Sequence, residues 1–265
     1  MSEPVIVTGA SGFIGRNLTT ALAMQGNTVW PVARRPLPGE GGGVAHRVED
    51  YGDTPATSGA TLVHLAETSD VAAAETAGED HIRANLDRLD ALLGKGYPRV
   101  VYISSALGRG VYGRAKAACE KRVLAAGGAV VRLTSVYGPG MSKTTVLSNI
   151  LAQVPGSDAL RIRDGGAERD FLWIGDAAEG LARIALGRAV GRFDLGTGRP
   201  VQIGDLARLV LELAGELRRP VVETMAPGTL SERLIIDPGP VEQAFGWHAR
   251  TALRDGLARL MSGNT

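Results

Sequence analysis

Thr8-Gly9-Ala10-Ser11-Gly12-Phe13-Ile14-Gly15 is the stretch that decides the fold. Its three glycines stand between an apolar, β-branched run at residues 4–8 (PVIVT) and a helical pattern at residues 13–25. In that pattern Phe13, Ile14, Leu18 and Leu22 fall roughly on one face, and Gly26 marks the stop. Strand, glycine turn and helix in this order predict a phosphate-binding turn. Gly9 allows the tight turn, Gly12 lets the backbone reach a pyrophosphate, and Gly15 lets the helix pack close to the sheet. The first helical turn offers N–H groups and partial positive charge to the phosphates. Gly9, Ser11, Gly12, Phe13, Ile14 and Gly15 are therefore candidate dinucleotide-binding residues.

Outward from this turn, further strands are expected at residues 28–32, 44–48, 61–65, 100–104 and 129–133. Helices are expected at 81–93 and 112–125, and a surface loop at 34–43. Residues 67–80, rich in small and acidic side chains, read equally as loop or helix start. This alternation predicts an α/β fold with a doubly wound parallel sheet of the Rossmann type. Beyond residue 134 the alternation weakens. Helices are expected at 145–154, 177–186, 203–214 and 253–261, and extended segments at 160–163 and 192–195. The expected plan is a dinucleotide-binding domain of residues 1–134 with about 170–197. A small interleaved C-terminal substrate domain would take about 135–169 and 198–265.

Composition narrows the function. The 265 residues are 22% charged and 44% apolar, which excludes wholesale disorder. Lys+Arg 29 against Asp+Glu 28 leaves a net charge of +1, with no field favouring nucleic acid or an anionic membrane. The single Cys119 excludes an intramolecular disulfide framework and any multi-cysteine metal site. His46, His64, His81 and His248 lack metal-ligand spacing, so no metal is expected. No leader pattern and no apolar run of about eighteen residues is present, so a small-molecule protein of the reducing cytoplasm is expected.

The dinucleotide is read at the end of the second strand, where an acid would hold the ribose 2′-hydroxyl of NAD. The sequence there is Val32-Ala33-Arg34-Arg35, with no acid. Arginine suits a 2′-phosphate through a charge-assisted bidentate contact, so NADP(H) is favoured over NAD(H). The chemistry is read further on. Ser104-Ser105 closes a strand, and Tyr112-x-x-x-Lys116 opens the next helix. The i, i+4 spacing puts phenol and ammonium on one face, where the cation favours the phenolate. Such a tyrosine passes a proton to or from a carbinol oxygen while nicotinamide carries hydride. Tyr112 and Lys116, with a serine of the Ser104-Ser105 pair, are the candidate catalytic residues, and Lys116 also suits the ribose.

These residues resemble the extended short-chain dehydrogenase/reductase family, the NAD(P)-dependent sugar-nucleotide epimerases, dehydratases and reductases. The resemblance runs over nearly the whole chain. TGASGFIG at 8–15 matches its fingerprint. Glu49-Asp50-Tyr51 stands where the family has G-D-L, which implies that Asp50 and Tyr51 approach adenine. His64-Leu65-Ala66 matches the cofactor-lining H-L-A, and Glu67 and Thr68 follow where the family places substrate-loop residues. Ser105, Tyr112 and Lys116 match the Ser/Thr-Tyr-Lys set. Residues 132–140 (RLTSVYGPG) match R-x-x-N-V-Y-G-P-G, with Ser135 in place of asparagine. Arg169-Asp170-Phe171 matches R-D-F, whose arginine meets the substrate diphosphate in the family.

The resemblance implies an NADPH-dependent reductase of a keto-sugar nucleotide, with an epimerase that retains its cofactor as the alternative. Ala106 and Leu107 follow Ser105 where dehydratases carry an acid pair, which places that reaction low. A reductase of small carbonyl compounds and a non-catalytic NADP(H)-sensing regulator are the remaining readings. Only residues 106–111 separate the serine from the tyrosine, far fewer than is usual, which implies an open substrate pocket. The segment 111–121 and its neighbouring helix imply a homodimer by the same analogy.

Overall fold

The computed structural model describes residues 3–35, 46–67, 70–106, 108–225 and 233–263, which divide into two compact units. The first unit comprises residues 1–133, 178–195 and 239–247, and the second 134–177, 196–238 and 248–265.

The first unit is built on a seven-stranded parallel sheet. Its strands are β1 (Val5–Thr8), β2 (Val29–Ala33), β3 (His46–Arg47), β4 (Thr61–His64), β5 (Arg99–Ser105) and β6 (Ala129–Leu133). Three short strands of the second unit follow in the chain: β7 (Ser135–Tyr137), β8 (Leu160–Ile162) and β9 (Glu168–Trp173). The seventh strand of the large sheet is then β10 (Gly191–Leu195). The order is β10-β6-β5-β4-β1-β2-β3. Chain order runs one way from β1 to β3 and the other way from β4 outward. The C-terminal ends of β1 and β4 therefore flank the switch point where open α/β sheets hold ligands. Val5, Ile6, Val7, Leu62, Val63, Val101, Val130 and Val131 are at most 1% exposed. Strands buried on both faces read as continuous apolar runs, which is why they were legible.

Helix α1 (Phe13–Met24) buries Gly15, Leu18 and Leu22. The undecided segment holds α2 (Val71–Ala77), begun by the Asp70 carboxylate accepting from the Ala73 N–H at 3.0 Å. Next come α3 (Glu79–Leu93) and α4 (Gly110–Ala125). Residues 36–45 lie outside the described residues, so most of the expected 34–43 loop and the start of the 44–48 strand do too.

In the second unit β9 is the hub. It pairs with β7 in parallel, with β11 (Pro200–Gln202) antiparallel, and with β13 (Arg233–Leu234) in parallel. A separate parallel pair joins β8 to β12 (Val221–Glu223). Helices α5 (Val146–Leu151), α7 (Ile203–Leu213) and α9 (Leu253–Ser262) contribute Leu147, Ile150, Leu206, Val210 and Leu257 to its core. Residues 174–177 of helix α6 (Ile174–Leu186) are counted with the second unit and the rest with the first, and α8 (Gly239–Phe245) belongs to the first.

Apart from shifts of one or two residues at 134 and 196–197, this division differs from the expected one at two places. Residues 170–177 go with the second unit because β9 has all its strand partners there. Residues 239–247 go with the first, where Phe245 meets Phe193 of β10 at 5.0 Å and Trp247 is buried.

Candidate active site

The glycine turn closes the end of β1. Gly9 has φ +73°, and a Cβ there would lie 3.1 Å from the backbone of Leu65 and Ala66 beyond β4. A Cβ on Gly15 would stand 2.2 Å from the Gly9 carbonyl oxygen, so the helix sits against the turn as closely as glycine permits. Helix α1 has Gly12 as its N-cap and no side-chain cap, which leaves its first-turn N–H groups to whatever binds there. These three observations fit a pyrophosphate, and Leu65 and Ala66 close the other side of the same turn.

At the end of β2, Arg34 and Arg35 are exposed, and the Arg34 guanidinium lies 5.4 Å from the centre of the Tyr51 ring. Tyr51 is buried in the 3-10 turn Tyr51–Asp53. The Asp50 carboxylate caps that turn by accepting from the Gly52 N–H at 2.6 Å, and meets Arg88 of α3 at 3.3 Å. The Gly52 bond and Arg88 hold the Asp50 carboxyl below its ordinary range against a partial burial cost. The acid expected beside adenine thus also has a local structural task.

The candidate catalytic residues come from β5 and α4. Ser104 and Ser105 end β5, and Tyr112 and Lys116 lie one turn apart on α4, both largely buried. The Lys116 ammonium lies 5.9 Å from the centre of the Tyr112 ring. It donates to the Ile103 carbonyl at 2.9 Å and pairs with Glu67 Oε2 at 2.6 Å. Glu67 was expected on a substrate loop. Its carboxylate instead points inward, where Oε1 also accepts from the Tyr102 hydroxyl at 2.6 Å. Thr68, its expected companion, lies outside the described residues.

Burial works against both ions, and attraction outweighs it. The Glu67 carboxyl is held below its ordinary value, chiefly by the Lys116 charge, and the Lys116 ammonium above its own, chiefly by Glu67. Nearby, His64 accepts from or donates to Thr8 Oγ1 through Nδ1 at 2.7 Å, and burial pushes its ring down to about 4, so it is neutral near pH 7.

Two supports were not foreseen. The Ser104 hydroxyl donates to Glu120 Oε1 at 2.6 Å, and Arg132 grips both oxygens of Glu120 at 2.8 and 2.6 Å. This bidentate pair fastens β5 and β6 to α4 beside the candidate serine. Glu75 of α2 accepts from the Val111 N–H at 2.6 Å, in the first turn of α4. A carboxylate there also suits the positive end of the helix dipole. With only residues 106–111 between serine and tyrosine, α2 supplies this fixing contact. The sequence signal was the Asp70 cap and the acid in a run of small residues, which have no reading without the fold.

Ser135 and Arg169 belong to the second unit. Ser135 opens β7 in register with Phe171, and Arg169 donates to the Glu168 carbonyl at 2.9 Å. Asp170 is structural. Its buried carboxylate accepts from the Thr197 N–H and hydroxyl and from the Gly198 N–H at 2.6–3.1 Å, holding the turn after β10. Trp173 packs edge-on to Tyr137 at 5.4 Å, as a core residue. Among the described residues no group of His, Cys, Asp and Glu is placed to hold a metal ion, and no helix is long and apolar enough to cross a membrane.

With this geometry in place, likeness to known proteins is informative. Residues 5–118 and 108–196 match the model of the NAD dependent epimerase/dehydratase family. UDP-glucuronic acid decarboxylase 6 of Arabidopsis thaliana is 30% identical over 134 residues, which is 48% of this chain and 38% of that protein. The chain thus spans well under half the length of that relative. dTDP-4-dehydrorhamnose reductase of Mycobacterium tuberculosis (strain CDC 1551 / Oshkosh) is 28% identical over 235 residues, covering 80% of this chain and 66% of the reductase. Among solved structures, MoeE5 in complex with UDP-glucose and NAD superposes with a TM-score of 0.81 at 27% identity, over 98% of this chain and 97% of that one.

Proposed function

The chain belongs to the NAD-dependent epimerase/dehydratase family, and from that premise we propose that it reduces a keto group on a nucleotide-linked sugar with NADPH. The observation that carries this reading is the end of β2, where the chain continues Val32-Ala33-Arg34-Arg35 and both arginines are exposed. Arg34 and Arg35 would take the 2′-phosphate, Gly9, Ser11, Gly12, Phe13, Ile14 and Gly15 the pyrophosphate, and Asp50, Tyr51, Leu65 and Ala66 the flanks. When bound, the nicotinamide supplies hydride. Tyr112 gives its phenolic proton to the substrate oxygen, Ser105 hydrogen-bonds the same oxygen, and Lys116 keeps positive charge beside the phenol. Arg169 is the proposed partner of the substrate diphosphate, and Ser135 a second substrate contact. The likeness to a dTDP-4-dehydrorhamnose reductase over most of the chain supports reduction.

A second reading is epimerisation with a retained cofactor. The likeness to MoeE5, solved with UDP-glucose and NAD, favours it. A panel of 4-keto sugar nucleotides incubated with NADPH, followed at 340 nm and by product mass, tests the first reading. Cofactor oxidation that matches product gained by two mass units supports it. Interconversion of isomers with no net cofactor oxidation refutes it in favour of the second.

A further inference from the structure

We propose that Glu67 is a positioning residue of the candidate catalytic pair, the buried counter-ion that fixes the Lys116 ammonium beside Tyr112. This deepens the reading above and rests on it for the roles of Tyr112 and Lys116.

The geometry is specific. Both oxygens of the Glu67 carboxylate are held, one by Lys116 Nζ at 2.6 Å and the other by the Tyr102 hydroxyl at 2.6 Å. Lys116 makes a second bond, to the Ile103 carbonyl at 2.9 Å. The head of the lysine is therefore anchored to the ends of β4 and β5, while its backbone rides on α4 one turn from Tyr112. The pair ties the face of α4 that carries the phenol to the sheet. The side chains of Lys116 and Glu67 are only 8% and 4% exposed. Replacing a buried ion pair by apolar side chains is often neutral or stabilising, so packing alone gives little reason for this one. A lysine that must stay charged and still does have that reason.

The other groups around the ammonium do not supply the negative charge near pH 7. His64, on β4, is held neutral by burial, which pushes it down to about 4. Tyr102, on β5, is raised by burial and by Glu67. Cys119, one turn further along α4, is pushed up to about 12 by burial and Glu67. Glu120 is turned to Ser104 and Arg132, and Glu75 of α2 to the Val111 N–H. Asp50 is turned to Gly52 and Arg88. Among the described residues, Glu67 is the carboxylate that pairs with Lys116.

The test is direct because the chain has only four lysines, Lys95, Lys116, Lys121 and Lys143. Lysine carrying 13C at Cε gives one signal for each, and Lys116→Met assigns the buried one. In the native protein the Lys116 signal keeps its ammonium shift to the alkaline end of the folded range. In Glu67→Gln its titration midpoint falls by on the order of one pH unit or more, because burial then acts without compensation. An unmoved midpoint overturns the proposal. If Glu67→Gln does not fold, the double variant Glu67→Gln/Lys116→Met, which leaves no unpaired charge, folds; a double variant that also fails overturns it. For the positioning role, kcat/KM of Glu67→Gln gains an alkaline fall at the midpoint seen for Lys116. A pH profile superimposable on that of the native protein overturns that role. The NMR arm needs neither substrate nor cofactor, so it is read whatever reaction the chain catalyses.

Discussion

Replacing Gly15 by alanine puts the account of the glycine turn at risk. The added Cβ would lie 2.2 Å from the Gly9 carbonyl oxygen and 2.9 Å from Gly9 C and Ala10 Cα. Ordinary contact begins near 3.4 Å, and every atom met is backbone, so α1 must retreat from the turn by about 1 Å. Overpacking of this kind costs about 1–3 kcal/mol, and a chain of this size loses about 2–4 °C in Tm per kcal/mol. The first-turn N–H groups of α1 retreat with it. Loss of one hydrogen bond to a charged phosphate, about 1.5–3 kcal/mol, weakens nucleotide binding tenfold or more. Thermal unfolding and a fluorescence titration with NADPH measure the two effects. Gly94→Ala is the control: φ is −63° and the nearest atom to its Cβ is 3.4 Å away, so nucleotide binding stays native and Tm stays level or rises slightly. A Gly15→Ala protein indistinguishable from that control would refute the reasoning.

Tyr112→Phe should abolish turnover while the NADPH titration stays within about twofold of native; retained turnover removes Tyr112 from the chemistry. Arg169→Ala should raise KM for a nucleotide-linked substrate about tenfold or more with kcat little changed, and an unchanged KM sinks the diphosphate contact. Arg34→Ala should weaken NADPH about tenfold and leave NADH nearly unaffected; equal loss for both would show that Arg34 does not read the 2′-phosphate. His64 binds its proton less readily folded, at about 4, than unfolded, at 6.5, so the unfolded state takes up protons first as pH falls. Stability from neutral His64 is complete above 6.5 and lost down to about 4, at up to about 1.4 kcal/mol per pH unit. Urea titrations should show that slope, and His64→Gln should flatten it between pH 6.5 and 4.5; an unchanged slope assigns the acid sensitivity elsewhere.

What the sequence made legible follows from what each segment buries. The central strands of the first unit are covered on both faces, so β1, β4, β5 and β6 appear as apolar runs, and the glycine turn is placed by its strand and helix. Apart from β8, which is expected as extended at 160–163, the strands of the second unit are two to six residues long and mix charge with apolar groups, as in Glu168–Trp173 (ERDFLW), so they carry no usable period. Their pairing is non-local, and β9 was missed although three strands depend on it. Tyr112 and Lys116 were legible because helical spacing alone brings them together. Glu67 was not, because its partners Tyr102 and Lys116 are 35 and 49 positions away and a carboxylate after a strand ordinarily faces water. Glu75 and Glu120 were hidden for the same reason: each reads as a solvated helix charge until the fold turns it onto α4 or β6.

We propose that this chain uses NADP(H) as an exchangeable cosubstrate. Mass spectrometry of the nucleotide released when the purified protein is denatured, with NADPH and NADH titrated into the native protein, tests it most directly. The account predicts an empty or partly filled site that binds NADPH more tightly than NADH. Stoichiometric, tightly held NAD would contradict it and assign the chain to cofactor-retaining epimerisation.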